Sequence, residues 1–139
     1  MFEVKTIGLA EAEAAIRAMK EEASKGGRPM SMAVMDVMGN LIAFERMDGA
    51  TPLTARMAQN KAYTSAAFGM DTRMYFTWLK GDEKDIAWYD DHRLTAVIGG
   101  VVVRTKDGRP VGAIGTSGRK QEEDEELALV GKQAAEAML

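Results

Sequence analysis

Apolar positions along this 139-residue chain change their spacing several times, and each change marks an element. From Gly8 onward Leu9, Ala12, Ile16, Met19 and Ala23 step by three and four residues. Glu11, Glu13, Arg17, Lys20 and Glu21 fall mostly elsewhere around the turn. That spacing predicts an amphipathic helix. Gly26-Gly27 stops it and Pro29 keeps it from resuming. Ahead of it, Phe2 to Thr6 alternate loosely and read as a short edge strand. Ser31 to Val37 and Leu41 to Glu45 alternate with period two around Met38-Gly39-Asn40, the pattern of a β-hairpin. Within the first strand Ala33, Met35 and Val37 share one face, with Met32, Val34 and Asp36 on the other. A carboxylate at position 36 is therefore unexpected.

Thr51 is a good N-cap and Pro52 suits a first helical position, so a helix is predicted from there to about Phe68, ending at Gly69. Asp71-Thr72 starts a short helix over Met74 to Leu79, ending near Gly81. Asp82 to Arg93 is polar with two aromatics and reads as a loop with one helical turn. Leu94 to Ile98 leads into Gly99-Gly100. Val101 to Thr105 and Pro110 to Gly115 then form a second hairpin through Lys106-Asp107-Gly108-Arg109, where Asp-Gly is a strong turn signal. After Gly118 the charged run Arg119 to Glu126 opens a last helix with Leu127, Val130, Gly131, Ala134 and Met138 as its buried stripe. The order helix, hairpin, helices, hairpin, helix predicts an α+β single domain over residues 1–139. Its antiparallel sheet has four or five strands and is flanked by helices.

Composition narrows the function classes. A net charge of −3 without a Lys/Arg cluster argues against a nucleic-acid partner. The longest apolar stretch, about Ala96 to Val103, is far too short to cross a bilayer, so no membrane partner is expected. No cysteine is present, which removes disulfides, a thiolate nucleophile and a Cys-based zinc site. No signal peptide is visible at Met1-Phe2-Glu3-Val4-Lys5. These features fit a cytoplasmic protein.

Two glycine-bearing corners join strands to helices: Glu45 to Pro52, and Gly112 to Gly118. Such corners set backbone N–H groups and helix N-termini at one sheet edge, a place to hold an anion. Several segments together carry a family likeness. They are Ala33-Val34-Met35-Asp36, Gly39 to Ala50, Lys61-Ala62-Tyr63-Thr64-Ser65-Ala66 with Phe68, Gly99-Gly100, and Val111 to Gly118 followed by Gln121 to Glu125 around Asp124. In order and spacing this set resembles the GlcG/HbpS-type haem-binding family, with the C-terminal domain of PduO-type proteins among its relatives. The resemblance spans nearly the whole chain. It implies a compact fold with an antiparallel sheet flanked by helices, a link in some members to haem or other tetrapyrroles as cofactor or ligand, no settled enzymatic activity in most, and a homo-oligomer, a dimer or larger. Haem-linked members tend to carry histidines in the N-terminal helix region, and this chain has none there. Where relatives usually read Pro-Gly-Gly-x-Pro, it reads Ile98-Gly99-Gly100-Val101-Val102.

The candidate residues each have a bland reading beside a chemical one. Arg46 is a fork for a ligand carboxylate, or half of an internal pair with Asp48. Asp48 is a base, or a turn residue making local hydrogen bonds. Lys61, on a helix face of small residues, binds an acid or moves a proton, or snorkels to water. Gly99 and Gly100, with Ser117, offer amides and a hydroxyl for anion capture, or simply satisfy turn geometry and helix capping. His92 is the sole histidine: a haem or metal ligand, a general base, or an ordinary surface residue. No H-x-x-H spacing supports a metal site. Trp88, with Tyr75, Phe76, Trp78 and Tyr89, walls a pocket or a subunit interface. The leading expectation is a small-ligand-binding protein of the GlcG/HbpS type, binding or degrading haem, with an anion-accepting pocket at the sheet edge. A cofactor-independent isomerase, hydratase or decarboxylase acting on a small carboxylic acid, with Lys61, Asp48 or His92 moving a proton, is the second. A non-catalytic oligomeric scaffold or sensor subunit is the third.

Overall fold

The computed structural model describes residues 1–139. Its elements run α1 (Leu9–Ala23), β1 (Ser31–Asp36), β2 (Leu41–Arg46), α2 (Pro52–Phe68), α3 (Thr72–Gly81), β3 (Gly100–Arg104), β4 (Pro110–Ser117) and α4 (Gln121–Glu136). A single 3-10 turn, Ile86–Tyr89, lies between α3 and β3. The two hairpins, β1–β2 and β3–β4, meet through β1 and β4 to give one antiparallel sheet in the order β2-β1-β4-β3. The sheet has four strands, the lower of the two numbers expected.

Strand alternation divides the core into two layers. Met32, Val34, Val101, Val103 and Ile114 face α1 and α4, where they bury Ala12, Ile16, Met19 and Leu127. Ala33 and Met35 face the other way and meet Ala58 and Ala62 of α2. Thr51 caps α2 by accepting from Thr54 N, and Gly69 closes it in the left-handed region at φ 64°. Asp36 ends β1 and its side chain closes the hairpin turn that follows. Its Oδ1 accepts from Met38 N and Asn40 N, each at 2.9 Å, and its Oδ2 from Asn40 Nδ2 at 3.0 Å. Partial burial pushes this carboxyl up, but the bonds from Asn40, Met38 and Gly39 outweigh it and leave the group below its ordinary value.

Two expectations are corrected. Phe2 to Thr6 form no strand. Phe2 is exposed, and the segment is pinned only where Thr6 Oγ1 donates to Val111 O and accepts from Val37 N. Two or three side chains on one face bury too little to order an extra strand against the backbone entropy it costs. The buried stripe of α4 is Leu127, Ala128, Gly131 and Ala135, while Met138 is exposed. The helix is rolled toward α1 because Gly131 lies against Met19, whose Sδ would stand 2.6 Å from a Cβ placed there. Small residues let the two helices approach this closely, and packing on α1 decides which face turns inward.

Candidate functional site

The sheet surface under α2 is unusually bare. Ala33, Gly115 and Gly100 lie in one cross-strand row. A Cβ at Gly115 would meet Ala58 O at 2.1 Å, and one at Gly100 would meet Lys61 O at 2.4 Å, so the helix backbone rests almost on the sheet. Lys61 leaves this contact on the inner side of the helix and is 1% exposed. Its Nζ donates to Thr116 O at 2.9 Å and to Asp124 Oδ2 at 2.9 Å. Asp124 Oδ1 in turn accepts from Arg119 N at 2.9 Å, and Thr116 Oγ1 donates to Asp124 O. The pair ties α2 to the first turn of α4 past the end of β4. Burial pulls the Lys61 ammonium below its ordinary range and pushes the Asp124 carboxyl above its own, while their mutual attraction opposes both shifts.

The structure brings Lys61 and Gly99 together: a Cβ at Gly99 would stand 2.8 Å from Lys61 Nζ. The amides of Gly99 and Gly100 are spoken for, since both donate to Thr72 Oγ1, at 3.1 and 2.9 Å. Ser117 is buried in register with Ser31, which is in register with Arg46 on the far side. The Arg46 guanidinium closes its own corner by donating to Ala50 O at 2.7 Å. Asp48 is exposed in that corner. His92 is exposed on the loop beyond the 3-10 turn, and Trp88 is 71% exposed within it. None of these eight residues lines any of the molecule's four clefts.

Sequence reasoning missed the partners that occupy the candidates. Asp124 sits in a run of carboxylates that reads as a solvated helix start, and Thr72 as a cap; only the fold aims them inward. Three rings of the aromatic segment pack with Phe68 at the end of α2: Phe68 and Tyr75 are stacked at 4.3 Å, with Trp78 and Tyr89 beside them. The loop that follows is held by Tyr63 of α2. Tyr63 OH donates to Asp91 Oδ2 at 2.6 Å, and Arg93 lies 3.9 Å over the Tyr63 ring. Hydrogen bonds from Arg93 and Tyr63 hold the Asp91 carboxyl well below the usual carboxylate range.

The largest cleft lies elsewhere, between α1 and the edge strand β2, and holds about 540 Å³. Ile16, Ile42 and Ala43 form its apolar floor, and Leu9, 58% exposed, stands at its mouth. Leu9 thus lies outside the core that the helical spacing assigns it to. Glu13, Arg17, Lys20 and Glu45 make the rim. Lys20 and Glu45 pair at 3.0 Å, whereas the exposed Arg17 side chain forms no hydrogen bond or ion pair within the chain. The cleft can accept a partly apolar molecule carrying a negative group.

A family model described as "Haem degrading protein HbpS-like" matches residues 7–133. Protein GlcG of Escherichia coli K12 is 38% identical over 106 residues, covering 76% of this chain and 77% of GlcG. A crystal structure of a double mutant of Streptomyces reticuli HbpS superposes with a TM-score of 0.85 at 31% identity, over 96% of this chain and 89% of that one. A structure described as a PduOC–heme complex superposes with a TM-score of 0.81 over 93% of this chain and 94% of that one; at 21% identity it shows likeness of fold. No helix of the protein is long and apolar enough to cross a membrane. With nearly the whole chain matched and the α+β architecture shared, this protein belongs to the HbpS-like, or GlcG/HbpS-type, family.

Proposed function

We propose that this protein binds haem or a closely related tetrapyrrole in the cleft between α1 and β2. The observation that carries the reading is the pairing of an apolar floor with an uncommitted cation, Arg17, in a cleft of about 540 Å³. Small-molecule sites ordinarily span about 300–1,000 Å³ and combine apolar walls with a few placed polar groups. A tetrapyrrole ring is flat and apolar and carries propionate arms at its edge. Ile16, Ile42 and Ala43 suit the plane, and Arg17 suits a propionate. Membership of a family described as haem-degrading, and the fold shared with a protein solved as a heme complex, support the same ligand class. The anion-accepting place at the sheet edge expected from the sequence is thus proposed at β2, with Arg17 in the role first considered for Arg46 and Lys61.

Titration of the purified protein with hemin, followed by the Soret band, tests this reading. Saturable one-to-one binding is expected. Leu9→Glu, which places a carboxylate at the mouth of the cleft at an already exposed position, should weaken it by about tenfold, about 1.4 kcal/mol. Hemin uptake that does not saturate, or that Leu9→Glu leaves unchanged, would place the ligand elsewhere.

A further inference from the structure

We infer, resting on the reading above, that a ring bound in the α1–β2 cleft takes no axial ligand from a histidine, methionine or tyrosine of this chain, so that metal-free and iron-loaded rings are held alike. Haem iron is ordinarily held by histidine, cysteine thiolate, methionine or tyrosine. The chain has no cysteine and one histidine. His92 lies between Asp91 and Arg93, both tied to Tyr63 of α2. That helix packs against the face of the sheet opposite α1. Tyr63 is engaged on that same side by the same two residues.

The methionines near the cleft are turned away from it. Met19 of α1 is fully buried, and its sulfur is directed at Gly131 of α4. The sulfur of Met47, just past β2, accepts from Met30 N at 3.4 Å. What faces the cleft is Glu13, Arg17, Lys20 and Glu45. Lys20 is taken up by its ion pair with Glu45 at 3.0 Å. Glu13 carries the same sign as a propionate. Selection therefore falls to the apolar floor and to Arg17, and both read features that a porphyrin keeps whether or not it holds iron.

The test is a pair of equilibrium titrations of the full chain, one with hemin and one with metal-free protoporphyrin IX, repeated for Arg17→Glu and His92→Ala. Both positions are exposed, so both variants should fold. The two rings are expected to bind with dissociation constants within about threefold of each other, Arg17→Glu to weaken both by about tenfold, and His92→Ala to change neither. Hemin binding more than about tenfold tighter than the metal-free ring would overturn the inference and leave the ring-binding reading standing; loss of that preference in His92→Ala would identify the ligand. Saturable binding of neither ring would overturn both.

Discussion

Replacing Asp124 with alanine should cost about 3–5 kcal/mol of folding stability, enough to bring a domain of this size close to unfolding. The two heads of the Lys61–Asp124 pair are 1% and 4% exposed and 2.9 Å apart. Without the carboxylate, the Lys61 ammonium keeps one bond to Thr116 O and has no counter-charge within reach of its buried position. The amide of Arg119 loses its acceptor at the same time, which loosens the start of α4. Burial alone does not make such a pair stabilising, because desolvating two ions offsets most of their attraction. Lys61→Met combined with Asp124→Leu should therefore regain most of what Asp124→Ala loses. Urea denaturation of the three proteins measures both effects. An Asp124→Ala variant with an unchanged midpoint would mean that Lys61 reaches water in solution, which would return it to the set of groups able to meet a ligand.

Gly115→Ala is the second large effect, expected at about 3 kcal/mol or more. The added methyl would fall 2.1 Å from Ala58 O and 2.5 Å from Ala62 N, and both are main-chain atoms of α2. Nothing there can rotate away. The helix must lift off the sheet, which strips Ala33, Ala58 and Ala62 of their packing. Gly81→Ala serves as the comparison. A Cβ at that helix end meets nothing within 4 Å, and its backbone is not in the left-handed region. It should be neutral or stabilise by about 0.4–1 kcal/mol, by restricting the unfolded chain. Thermal melts of the two variants separate close packing from glycine replacement as such. Equal melting temperatures would contradict the packing of α2 described above.

Local pattern carried most of the fold. The hairpins, the caps at Thr51 and Gly69, and the four-stranded antiparallel sheet follow from period-two alternation and turn residues, which act over a few neighbours. The misses came where a distant element decides. Leu9 has the right helical spacing but stands over the edge strand, with no third layer to cover it. The stripe of α4 turns because of Met19, more than a hundred residues earlier. The candidate site was the least legible part. Lys61 on a small-residue face reads equally as an inward group or as one snorkelling to water; the fold buries it, with a partner, Asp124, hidden in an acidic run. Gly99 and Gly100 looked like free donors because nothing local marks Thr72 as their acceptor. The cleft that we assign to the ligand is made by α1 and β2, whose residues look like an ordinary amphipathic face and an ordinary edge strand until they are placed side by side.

A crystal structure of the protein with bound hemin or protoporphyrin IX shows where the ring sits. Electron density for the ring is expected between α1 and β2, its plane on Ile16 and Ile42 and a propionate within hydrogen-bond distance of the Arg17 guanidinium. Density over Gly99, Gly100 and Ser117, with the Lys61–Asp124 pair opened, or density against Trp88 and His92, would contradict it.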